Sequence, residues 1–112
     1  MGKRVVSVGN REIEMMSNGL TPVLYKRVFH KDFLLETQKK DIDLTVFQEL
    51  AYVMTAQAQG TDIKKLMTGL SEESYYEWLE GFEPMDLMEA VNDIFAVYHD
   101  QTKSTSHSKK NP

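Results

Sequence analysis

One apolar stripe constrains this chain more than any other feature. Leu44, Phe47, Leu50, Ala51, Met54 and Ala58 recur at i, i+3, i+6, i+7, i+10 and i+14. That spacing stays on one side of an α-helix, whereas a strand would scatter it over both faces. Asp41-Ile42-Asp43 leads into the helix, and Gly60 ends it in the usual way. A helix with so continuous a stripe must be covered by something.

The C-terminal half supplies part of the cover. Between Leu66 and Thr102 there are nine acidic residues and no Lys or Arg, interleaved with the only Trp and several other aromatics. Thr61–Leu70 reads as a short helix or a loop, with Gly69 as a breaker. Ser71 is a good helix N-cap, and Glu72 and Glu73 follow where the helix dipole favours them. Tyr75, Trp78, Leu79 and Phe82 line one face of that helix, and Gly81 stops or kinks it. Pro84 is expected at the first position of the last helix, with Leu87, Val91, Ile94, Phe95 and Tyr98 as its buried stripe.

The N-terminal part begins with two β-leaning stretches, Lys3–Val8 and Arg11–Met15, around Gly9-Asn10. Glycine between such runs signals a tight hairpin turn. Val6, Val8 and Ile13 would share one face. An isolated hairpin is marginal, so this one must lie on something. Ser17-Asn18-Gly19 breaks the pattern. Thr21-Pro22 then reads as N-cap and first helical residue, and Val23, Leu24, Arg27 and Val28 begin the helix. Residues 22–39 form one bent helix or two.

The expected architecture is mainly α with a small N-terminal β-hairpin (an α+β fold), its helices forming a compact bundle of four to five. Size limits the chain of 112 residues to one domain, spanning residues 1–100. The hairpin covers about 3–16 and the helices about 21–100. Residues 101–112 lack large apolar side chains and read as a disordered basic and polar tail.

Charge and composition narrow the function. The formal net charge is -4, and the chain has no cysteine, so thiolate metal sites, disulfides and cysteine nucleophiles are out. No HxxH or HExxH spacing joins His30, His99 and His107, and no glycine cluster resembles a phosphate-binding loop. No cofactor, metal or catalytic residue is expected. Residues 1–40 carry eight basic and four acidic groups, and residues 71–100 carry nine acidic ones alone. The acidic half argues against nucleic acid, and the opposed ends make head-to-tail self-association plausible. No apolar run is long enough for a membrane span and no signal peptide is visible, which reads as a soluble cytoplasmic protein. The remaining candidate is a protein-binding patch of Tyr75, Trp78, Leu79, Phe82 and Met85, since Trp, Tyr and Met favour interfaces. The same aromatics also read as ordinary core.

Four stretches carry a family resemblance. They are Leu24-Tyr25-Lys26-Arg27-Val28-Phe29-His30-Lys31-Asp32-Phe33, Phe47-Gln48-Glu49-Leu50-Ala51-Tyr52-Val53-Met54, Tyr76-Glu77-Trp78-Leu79-Glu80-Gly81-Phe82, and the helix beginning around Asp86-Leu87-Met88. Their order resembles the tail assembly chaperones of long-tailed bacteriophages and prophages of Gram-positive bacteria. The resemblance implies a non-enzymatic protein that coats the tape measure protein in the host cytoplasm. It implies help for tail tube subunits polymerising around that protein, and absence from the finished virion. Such proteins are often made in a short form and a frameshifted longer form that recruits the tube protein. Lys109-Lys110-Asn111 can be encoded by a slippery A AAA AAC string, which makes this chain the expected short form. The alternative is a small phage-encoded regulator or adaptor that binds a host protein or DNA.

Overall fold

A computed structural model describes residues 3–60 and 62–99. The tail expected over 101–112, with its Lys109-Lys110-Asn111 string, lies outside the described residues. Two strands, β1 (Arg4–Val8) and β2 (Arg11–Met15), form an antiparallel hairpin. Six helices follow: α1 (Thr21–Phe29), α2 (Phe33–Thr37), α3 (Thr45–Ala58), α4 (Ile63–Gly69), α5 (Glu72–Leu79) and α6 (Asp86–Glu89). A seventh, α7, covers residues 91–99. This is the mainly helical α+β fold expected, with seven helices among the described residues where periodicity counted four or five.

The hairpin register pairs Val6 with Ile13 and Val8 with Arg11 across a two-residue turn. Gly9 has φ 63, the sign that such a turn demands at its first loop residue. Val6, Val8 and Met15 are buried, because β2 lies against α3. The Met16 amide donates to the Met54 carbonyl of α3 at 3.1 Å, so the strand runs directly into the helix it covers.

Helix α3 is the centre of the fold. Besides Phe47, Leu50, Ala51, Met54 and Ala58, it buries Val46, Tyr52, Val53 and Gln57. Strand β2 and helices α1, α5 and α6 all pack on it. One stripe therefore underestimated its burial. Leu44, expected to open the stripe, precedes the first turn and is 44% exposed. Asp43 accepts from the Thr45 amide at 3.0 Å and starts the helix there.

Three local expectations are corrected. Thr21 is no N-cap: the cap position falls on Leu20, and the Thr21 side chain is fully buried in a polar network described below. Helix α1 buries Leu24, Tyr25, Val28 and Phe29, while Val23 faces outward. Residues 22–39 are two helices, parted at His30, whose φ of 59 is left-handed and ends α1. Pro84 lies two residues before α6, in the turn that leads into it. The C-terminal helix is split at Ala90, and the buried residues are Leu87, Ala90, Ile94 and Val97. The break rotates the stripe, leaving Val91 and Tyr98 half-buried and Phe95 at the surface.

All five Phe, all five Tyr and the Trp belong to one connected chain of ring contacts. It runs from Phe82 through Trp78, Tyr52, Tyr75, Phe29, Tyr25 and Phe33 to Phe47 and Phe95, with Tyr76 and Tyr98 as branches. Such pairs contribute about 0.5–1.5 kcal/mol each beyond the area they bury. The chain joins the acidic C-terminal half to the basic N-terminal half.

Candidate functional site

An open groove of about 520 Å³ lies between α3, α4 and α5. Its α3 wall is Tyr52, Thr55, Ala56 and Gln59, and Lys65, Leu66, Gly69 and Leu70 form the α4 side. Ser74, Glu77 and Trp78 of α5 close it. A helix presents the i, i+3, i+4 and i+7 positions on one side, so the α3 wall is a second face of the helix whose first face is core.

The corner between α4 and α5 is built by capping. Asp62 accepts from the Lys65 amide at 3.0 Å and starts α4. The Ser71 hydroxyl accepts from the Ser74 amide at 3.1 Å and starts α5, as the sequence predicts. The Ser71 amide donates to the Tyr52 hydroxyl at 3.3 Å, fixing the corner to α3. Ser74, the one serine in the groove, donates its hydroxyl proton to the Gly69 carbonyl at 3.4 Å.

The five residues expected to bind a partner have different fates. Trp78 lines the groove, its ring 5.7 Å from that of Tyr52. Tyr75 is sealed in the core, where burial first and the Glu49 carboxylate second push its hydroxyl pKa far up. Leu79 and Phe82 are half-buried against the core. Phe82 is held between Trp78, at 4.8 Å, and the Arg11 guanidinium, 4.1 Å over its ring. Met85 is 57% exposed and does not line the groove.

The sequence reading missed the α3 and α4 walls. The signal for α3 was present: Tyr52, Thr55, Ala56 and Gln59 form an amphipathic face at helical spacing. It was hidden by the stronger apolar stripe beside it. For α4 there was little signal, because Leu66 is its single buried residue.

The groove joins an apolar floor of Tyr52, Ala56, Leu66, Leu70 and Trp78 to a thin polar rim of Lys65, Glu77, Gln59 and Thr55. That suits an apolar side of a peptide better than a small polar molecule. A smaller hollow of about 330 Å³ lies across Thr55 and Gln59, bounded by Glu12, Ile13 and Glu14 of β2. No group of three or more His, Asp or Glu among the described residues could hold a metal ion. No helix among them is long and apolar enough to cross a membrane. The chain matches no known protein family, no curated protein and no solved structure.

Proposed function

We propose that this protein is a non-enzymatic tail assembly chaperone of a long-tailed bacteriophage or prophage, and that its groove takes an apolar stripe of the tape measure protein. The observation that carries the reading is the groove itself, apolar along its floor and walled by Trp78. A partner helix laid in such a groove is a standard mode of recognition. A tape measure protein is long and helical, and exposed apolar stripes aggregate unless covered. Many shallow sites along one polymer hold it firmly together while each remains releasable.

The order of aromatic and acidic stretches along the chain supports the same reading. On this reading the protein acts in the host cytoplasm and is left out of the finished virion. The tail tube protein is the second partner, reached through a longer frameshifted form. AAG codons at Lys109 and Lys110 would remove the slip from this account.

The test uses the only Trp as its probe. Recombinant tape measure fragments from the same phage locus should shift Trp78 emission and co-purify with the protein. Ala56→Phe should fill the groove and abolish both effects while leaving the circular dichroism spectrum unchanged. Fragments that bind the variant as well as the wild type would refute the groove. Fragments that bind neither would refute the chaperone reading.

A further inference from the structure

Strand β2 and helix α3 leave a gap that an extended chain fits. In a hairpin closed by a two-residue turn, the pair beside the turn is hydrogen-bonded, and bonded pairs then alternate with unbonded ones. Val8–Arg11, Val6–Ile13 and Arg4–Met15 are therefore the bonded pairs of this register. Glu12 and Glu14, opposite Ser7 and Val5, turn their amide and carbonyl groups away from β1. That outer edge looks onto the hollow of about 330 Å³ whose other wall is Thr55, Ala58 and Gln59 of α3. Among the described residues, no backbone bond from another element reaches Glu12 or Glu14.

Side chains alternate along the same edge. Ile13 is half-buried on the face that carries Val6, Val8 and Met15, and Glu12 and Glu14 are exposed on the opposite face. Glu12 joins none of the ion pairs among the described residues. Glu14 meets Lys3 at 3.8 Å with both side chains about half exposed, and a pair so open to water is weak. Thr55 donates its hydroxyl proton to the Ala51 carbonyl at 2.7 Å within α3. Its methyl group, Ile13 and Ala58 therefore give the hollow an apolar floor.

We infer that β2 takes an extended peptide segment as a third strand, and that this segment alternates basic and aliphatic residues. The segment's backbone bonds the free amide and carbonyl groups of Glu12 and Glu14, as in other cases of strand addition at a sheet edge. Residues in register on neighbouring strands share a face. Its Lys or Arg side chains therefore lie beside the two carboxylates, and the aliphatic side chain between them enters the hollow beside Ile13. Charge selects this occupant. Two β2 edges paired antiparallel would set glutamate against glutamate. The β1 edge of a second copy offers Val5 and Ser7, neither of them basic. The inference holds whether or not the Trp78 groove takes a tape measure helix.

A fluorescein-labelled heptapeptide of alternating lysine and isoleucine is the probe, with the full chain as its partner. Fluorescence anisotropy should show saturable binding. The same peptide with glutamate in place of lysine should bind at least about tenfold more weakly, because attractive cross-strand pairs become repulsive. So should a peptide N-methylated at the backbone amides of its lysines, which keeps every charge and loses the bonds to β2. Glu12→Lys with Glu14→Lys, shown by circular dichroism to fold, should reverse the preference between the lysine and glutamate peptides. By nuclear magnetic resonance, the amides of Glu12 and Glu14 should exchange freely in the chain alone, and at least about tenfold more slowly with the lysine peptide bound. Absence of binding, equal binding of the N-methylated peptide, or an unreversed preference overturns the proposal. So does protection of those two amides in the chain alone, since a second copy would then already cover the edge.

Discussion

Replacing Thr21 with Val should cost more stability than replacing it with Ser, and the reason lies in four hydrogen bonds. The Thr21 hydroxyl donates to Gln57 Oε1 at 2.6 Å and accepts from the Asn18 amide at 2.9 Å. Gln57 Nε2 donates to Asn18 Oδ1 at 3.1 Å, and the Leu20 amide donates to the same oxygen at 2.9 Å. Both Thr21 and Gln57 are buried. Val keeps the shape of Thr and removes the hydroxyl, leaving Gln57 Oε1 without its donor in a place closed to water. An orphaned buried polar atom costs about 1–3 kcal/mol. Asn18 is exposed, so its amide can turn to water, and that lost bond costs about 0.5–1.5 kcal/mol. The total is about 1.5–4.5 kcal/mol. Ser keeps every bond and loses one methyl group, about 1 kcal/mol. Removing both partners in Thr21→Val with Gln57→Leu should cost less than the sum of the single changes, because no orphan remains. Urea denaturation followed by circular dichroism and by Trp78 emission measures the wild type, the three single variants and the double variant. A Val variant no weaker than the Ser variant, or strict additivity in the double variant, would refute the reasoning. The network matters for the site because Gln57 stands between Ala56 and Gln59, so it anchors the α3 wall of the groove to the start of α1.

Three further outcomes are expected. Tyr25 donates its hydroxyl proton to Glu49 at 2.6 Å, and burial first and that carboxylate second raise its pKa well above the ordinary 10.0. The unfolded chain therefore loses this proton first, so the contribution is complete below about pH 10 and is lost as pH rises; in Tyr25→Phe, stability measured by urea titration should fall less steeply above that pH. Gly9→Ala and Gly60→Ala both force alanine into positive φ, 63 and 74 respectively, but only at Gly9 does the new Cβ meet another group, Asp86 Oδ2 at 2.6 Å. Both should lose about 1–2 kcal/mol from conformation, with a larger thermal shift for Gly9→Ala, and equal shifts would argue against that close approach. His30→Gly should raise the melting temperature by the equivalent of about 0.5–1 kcal/mol, since it relieves a left-handed residue at some entropic cost in the unfolded chain; a lower melting temperature would contradict it.

How much was legible depended on whether a residue's partners were close in sequence. The hairpin was read correctly because turn and register are local, with Gly9 at the bend and Val8 opposite Arg11. The α5 cap was legible for the same reason. Thr21 has the look of an N-cap, but a partner in α3 captures its hydroxyl, and no local signal announces a partner at position 57. The last helix failed through phase. Its apolar residues are dense enough to support two stripes, and the break at Ala90 chose Leu87, Ala90, Ile94 and Val97. The groove was legible on one side only. Trp78 stood out as the sole Trp, whereas Ala56, Gln59 and Leu70 carry no chemical mark and acquire meaning only when three helices meet.

The same geometry sets an order of local opening, and that order bears on the groove. Helix α3 buries nine residues, whereas α5 buries Tyr75 alone and α4 buries Leu66 alone. Each buried large side chain contributes about 1.5–3 kcal/mol, so α4 and α5 are held far more weakly than the wall they face. Segments with few buried contacts open without global unfolding. Native-state amide exchange should therefore show α5 protected at least about tenfold less than the centre of α3, a difference of about 1.4 kcal/mol. The Tyr52 hydroxyl sharpens the expectation, because it holds the Ser71 amide and so the start of α5. Tyr52→Phe should speed exchange in α4 and α5 while leaving the middle of α3 unchanged. A bound helix in the groove should slow exchange most in α5, the element with the most protection to gain. Equal protection of α3 and α5 in the free protein would mean that the groove is a fixed slot. Unequal protection would mean that its Trp78 wall can move outward to admit side chains of different size.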